Sequence, residues 1–189
     1  MKKIIALTMC LILCLGLFGC SKKEALDNLS KGGVISGNVY ENKDMGLRIT
    51  IPSGESFYST SEIEKEIFGA EDVDEDIKNK AREKTLVFAY SSGMMDGGEH
   101  YLCAMALADK KSKKSFFKTY DEVYSTQDGI TGEYESFTEK IGNIEFEKRV
   151  YQVETSAFQI KTTVYYGFYN DIAINISYMG DSVKIESIK

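Results

Sequence analysis

The 189-residue chain has no tryptophan, one proline (Pro52) and one histidine (His100). A single histidine excludes every metal motif built on a histidine pair, the zinc-protease helix among them. It also leaves a serine or cysteine nucleophile only one imidazole base, and Ser92, which precedes Gly93, lacks the earlier glycine of a G-x-S-x-G elbow. Without tryptophan the usual platform for stacking a sugar ring is missing. Positive charge is also scarce: 23 Lys and Arg stand against 29 Asp and Glu, a net charge of −6. That balance leaves no electrostatic footprint for nucleic acid, which is excluded as a partner. Finally, the longest apolar stretch, Ile4 to Phe18, falls short of the roughly 20 residues that cross a bilayer, and Ser21-Lys22-Lys23-Glu24 ends it abruptly.

What that stretch does offer is a leader. Lys2 and Lys3 precede it, and it closes on Leu17-Phe18-Gly19-Cys20, which resembles the lipobox of bacterial lipoproteins, although Phe18 is bulkier than the residue usual there. The resemblance implies cleavage after Gly19, a diacylglycerol thioether on Cys20, and anchoring at the extracytoplasmic face of the cell membrane. Two or three acyl chains make such an anchor lasting, at about 0.8 kcal/mol per buried methylene. Residues 1–19 hold two lysines and no acid, so the mature charge becomes −8. Cys10 and Cys14 leave with the leader and Cys20 is alkylated, so Cys103 stands alone. An intrachain disulfide is thereby excluded and the core must carry stability.

The rest reads as one tethered domain. Residues 20–38, with Ser30-Lys31-Gly32-Gly33 and Ser36-Gly37-Asn38, are expected as a flexible spacer in which Ala25–Leu29 adds one helical turn. In 39–189, Val39-Tyr40 and the alternating Leu47, Ile49 and Ile51 flank a turn-rich segment and predict a hairpin. Ser61 and Glu64 form a capping box for a helix over 62–68, closed by Gly69. Residues 71–84 read either as a thin helix on Val73, Ile77 and Ala81 or as a charged excursion. Strands are expected at 85–91 and 100–108, and a helix over 113–127 on Phe116, Phe117, Tyr120, Val123 and Tyr124, stopped by Gly129. Three more strands follow at 144–155, 159–169 and 172–178, the last two joined by an Asn170-Asp171 type I′ turn, and the tail is expected to return as a short helix. Hairpins with helices between them indicate an α+β fold, an antiparallel sheet with helices packed on it.

The stretch Gly37-Asn38-Val39-Tyr40-Glu41-Asn42, with Met45-Gly46-Leu47-Arg48-Ile49-Thr50-Ile51-Pro52-Ser53-Gly54, resembles the opening of PsbP-like domains. Glu55-Ser56-Phe57 stands where those domains often carry tryptophan. The resemblance implies an α-β-α sandwich used as a binding or assembly module, in a family without shared catalytic residues.

Other groupings carry less chemistry. His100 and Cys103, three apart in a strand, fall on opposite faces and so cannot act as a nucleophile and its base. Asp72, Asp74, Asp76 and Glu83 follow the spacing of a calcium loop, but Ile77 occupies the position that needs glycine. Tyr165, Tyr166 and Tyr169 crowd one strand, and an outward-facing set among them would suit a protein or glycan partner. No catalytic residue, metal or cofactor is assigned. The expectation is a lipid-anchored, non-enzymatic module that binds a protein or envelope partner. The alternatives are an envelope hydrolase using carboxylates and a small-ligand carrier.

Overall fold

The computed structural model describes residues 23–69, 73–95, 98–108, 111–125, 130–154 and 159–188; Cys20, Asp72 and Gly129 lie outside them. Helix α1 (Lys23–Lys31) leads into strands β1 (Gly33–Ser36), β2 (Val39–Asn42) and β3 (Leu47–Thr50), then helices α2 (Thr60–Phe68) and α3 (Glu75–Lys84). Strands β4 (Thr85–Met95) and β5 (Gly98–Leu107) and helix α4 (Lys113–Ser125) come next. They are followed by β6 (Ile130–Ile141), β7 (Ile144–Glu154), β8 (Gln159–Tyr169), β9 (Ile172–Met179) and β10 (Lys184–Ser187). All pairings are antiparallel, in a four-stranded sheet β1-β2-β3-β10 and a six-stranded sheet β4-β5-β9-β8-β7-β6. The fold is the expected α+β arrangement of helices packed on antiparallel sheet.

The six-stranded sheet forms the middle layer. One face carries Tyr165, Ile174, Ile176, Leu102 and Ala104, which pack with Tyr40, Leu47 and Ile49 of the small sheet and with Leu26 and Leu29 of α1. The other carries Tyr166, Val164, Met105 and Cys103, covered by Ile67 and Phe68 of α2, Ala81 of α3 and Phe116, Phe117 and Tyr120 of α4. The side chains of Val123 and Tyr124 lie outside the described part. On one side, then, the outer layer is a small sheet with a helix, not helices alone. Asn170 and Asp171 take φ of 46° and 64°, as a type I′ turn requires.

Several expectations are corrected. Residues 23–36 are not a spacer. They form α1 and β1, held because Leu26 and Leu29 are buried and because buried Asn42 donates to the Leu29 carbonyl (3.2 Å) and accepts from the Met45 N–H (3.0 Å). Gly33 is needed there, since a Cβ would fall 2.6 Å from the Tyr40 hydroxyl oxygen. The capping box sits two residues earlier than expected: Ser59 caps α2, and its backbone N–H donates to Glu62 Oε2 (2.7 Å). The tail returns as β10 on β3, not as a helix, because Ile185 opposite Ile49 continues the small sheet's inner face. Strand β6 has no counterpart among the expected elements.

Candidate functional site

The three tyrosines singled out in β8 do not form an outward row. Tyr165 is buried in the core shared with the small sheet, Tyr166 is buried against α4, and Tyr169 is half-buried beside the first core. A strand covered on both faces sends alternate residues into two cores instead of into one core and solvent. Tyr166 stacks on Phe116 with centroids 3.8 Å apart and donates to the Lys111 carbonyl (3.0 Å). Tyr165 donates to Glu139 Oε2 (3.3 Å), and burial pushes its phenol far above the ordinary value of 10.0.

The exposed aromatics lie two strands away. Among the described residues, the large apolar side chains most open to solvent are Tyr134 (41%) and Phe137 (49%) on β6, and Val34 and Ile35 on β1. Both strands are sheet edges. Among the described residues β6 pairs only with β7, and Tyr134 to Thr138 are exposed without a break. The register places Tyr134, Ser136 and Thr138 opposite Tyr151, Arg149 and Glu147 on the α4 side, and Glu135, Phe137 and Glu139 opposite Val150, Lys148 and Phe146 on the other. The opposite edge of the large sheet is closed: the Tyr58 N–H donates to the Tyr90 carbonyl of β4 (2.9 Å), Ser91 Oγ donates to the Ser56 carbonyl (3.2 Å), and the Tyr58 and Ser92 hydroxyls meet at 2.8 Å.

Beneath Tyr134 lies a charged support. The Arg149 guanidinium lies over two rings, its carbon 4.0 Å from the Phe117 centroid and 4.3 Å from that of Tyr134. It also bonds Asp121 on α4 (3.0 Å) and Glu147 (2.9 Å). Tyr151 donates to the same Asp121 (3.0 Å), and its phenol is pushed far up by burial and by the Asp121 charge. On the other face Lys148 pairs with Glu139 (3.4 Å) and lies 5.2 Å over the Tyr165 ring. One exposed ring thus rests against a guanidinium that is itself paired, and the other stands beside an internal ion pair.

The remaining candidates find structural places. Cys103 is a fully buried thiol. No register shift falls between it and His100 on β5, so their odd spacing stays in force; the His100 side chain lies outside the described part. The residues of the calcium-loop spacing that are described belong to a helix and its cap: Asp74 caps α3, accepting from the Asp76 N–H (2.8 Å), and Asp76, Ile77 and Glu83 lie within the helix. No cluster of three His, Cys, Asp or Glu suited to a metal occurs among the described residues. Glu62 is held below the ordinary carboxyl value by Ser59, and Glu75 by Arg82 and Lys78, the opposite direction from that of a proton donor. No protein-family model matches the chain, and no curated protein matches it in sequence.

Proposed function

We propose that this chain is a lipid-anchored, extracytoplasmic binding or assembly module, held at the cell membrane through Cys20 and engaging a protein or envelope partner without catalysing a reaction. The observation that carries this reading is that, among the described residues, the exposed large apolar side chains lie on two sheet edges, Val34 and Ile35 on β1 and Tyr134 and Phe137 on β6. Edge strands combine unpaired backbone groups with side chains on both faces, which is what a partner surface uses. The leader ending at Cys20 supplies the location, and the PsbP-like opening at 37–54 points to the same class of module.

The test is crosslinking in cells followed by isolation from membranes, comparing the unaltered chain with Cys20→Ala. Lipidation predicts a mass increase on Cys20, loss of the variant from the membrane fraction, and a discrete crosslinked partner that depends on the anchor. Confirmed lipidation without any such partner, or reproducible turnover of an envelope substrate by the purified protein, overturns the proposal.

A further inference from the structure

We infer that β6 is a docking edge for an extended segment of another protein, which adds as a seventh strand to the large sheet and carries a basic residue opposite Glu135 and an apolar residue opposite Phe137. This deepens the binding-module reading and rests on it.

The backbone is available in a defined pattern. β6 and β7 are joined by the two-residue Gly142-Asn143 turn with Ile141 opposite Ile144, and Gly142 has φ of +57°, so this closing pair is hydrogen-bonded. Alternation then directs the N–H and C=O groups of 135, 137 and 139 to β7, and those of 134, 136 and 138 away from the sheet. Those outward groups lie in the exposed stretch Tyr134 to Thr138. The other end of the strand is already used: Ile141 is buried under the small sheet.

The side chains select the occupant. Directly opposed residues of an antiparallel pair share a face, so self-pairing of two β6 strands is centred on a residue. Centred on 135 or 137, it sets Glu135 against itself or against Glu139, and like charges directly opposite are destabilising; centred on 136, it sets Glu135 against Phe137 and leaves the carboxylate without a counter-charge. The chain's net negative charge adds to that repulsion. A heterologous strand with a lysine or arginine opposite Glu135 inverts the sign. Glu135 has no ion pair among the described residues, whereas Glu139 is already held by Lys148. An apolar residue two positions along meets Phe137, and on the other face the strand lies beside the Tyr134 ring that rests against Arg149. Main-chain bonds then supply affinity, and the alternate side chains supply specificity.

The probe is a blocked peptide, Lys-Thr-Val-Thr-Lys-Val-Lys, titrated into the isotopically labelled full chain in neutral detergent. A version with glutamate replacing each lysine serves as the control. Expected are amide shifts centred on residues 134–139 with a Kd of about 1 mM, a weak affinity suited to an unoptimised strand, and binding at least about tenfold weaker for the glutamate peptide. Ser136→Pro removes an outward donor but no β6–β7 bond, so the sheet should stay folded while binding falls about tenfold, with Thr138→Pro as the second variant. Absence of shifts at about 10 mM peptide, shifts elsewhere on the surface, or equal binding by both folded proline variants overturns the inference. So does a β6-mediated dimer of the chain itself. In cells, a crosslinked partner that survives Ser136→Pro ends the β6 assignment and leaves the module reading intact, whereas the absence of any anchor-dependent partner ends the module reading.

Discussion

Arg149 makes two kinds of contact at once, lying over the faces of two rings and bonding two carboxylates. Only a planar guanidinium does both, so Arg149→Lys should behave as a loss and not as a conservative change. We predict destabilisation of about 1–2 kcal/mol for Arg149→Lys and about 2–3 kcal/mol for Arg149→Ala, read from urea midpoints at constant slope. A shift below about 0.3 kcal/mol for the lysine variant would mean that the stacking contributes nothing. This site was not legible in the sequence, since its members come from α4, β6 and β7 and no local spacing joins 117, 121, 134 and 149. By contrast, the opposite facing of His100 and Cys103 and the α4 stripe of Phe116, Phe117 and Tyr120 could be read from the sequence, because local alternation and a 3.6-residue period fix which side of an element a residue faces.

Among elements, legibility follows how many faces are covered. Hairpins with one clear inner face, such as β2–β3, are written in alternation. β6 is hidden because Ile130, Tyr134, Phe137 and Ile141 recur at four, three and four residues, the rhythm of a helix, while an edge strand with exposed flanks has little need of period two. Short β1 and β10 carry too few residues to show any period. The β6–β7 turn bonds the large sheet to the small one: the Asn143 N–H donates to the Met45 carbonyl (2.9 Å), the Asn143 side-chain amide to the Asp44 carbonyl (2.9 Å), and the Gly142 N–H to Ser187 Oγ (2.7 Å). A Cβ on Gly142 would lie 2.3 Å from the Met45 carbonyl oxygen, at a positive φ. Gly142→Ala should therefore cost about 2 kcal/mol or more, with hydrogen exchange accelerating first at 45–47 and 187–188. Uniform loss of protection across β5 and β9 would instead mean that the turn is not the junction between the layers.

For the whole molecule, the phenols of Tyr40, Tyr151, Tyr165 and Tyr166 are buried, and burial raises each above the ordinary value of 10.0, Tyr40 to about 12 and the others further. A group whose folded pKa exceeds its unfolded value binds its proton more tightly in the native state. Its contribution is complete below the unfolded value and is lost as pH rises towards the folded one. We predict an alkaline unfolding transition that begins above pH 10, in which the buried share of phenolate absorbance and the loss of far-ultraviolet dichroism rise together. Full tyrosine ionisation near pH 10 with dichroism unchanged would contradict it. The docking of α1 through Leu26 and Leu29 reaches beyond stability. Cys20 precedes Lys23, where α1 begins, by three peptide units, whose fully extended reach is about 11 Å. With the acyl chains on Cys20 as proposed, the body is moored on a short leash and not flown on a long one. Its search for a partner is then two-dimensional, governed by numbers per area of membrane, and β6 meets only segments presented within a body's width of the lipid surface.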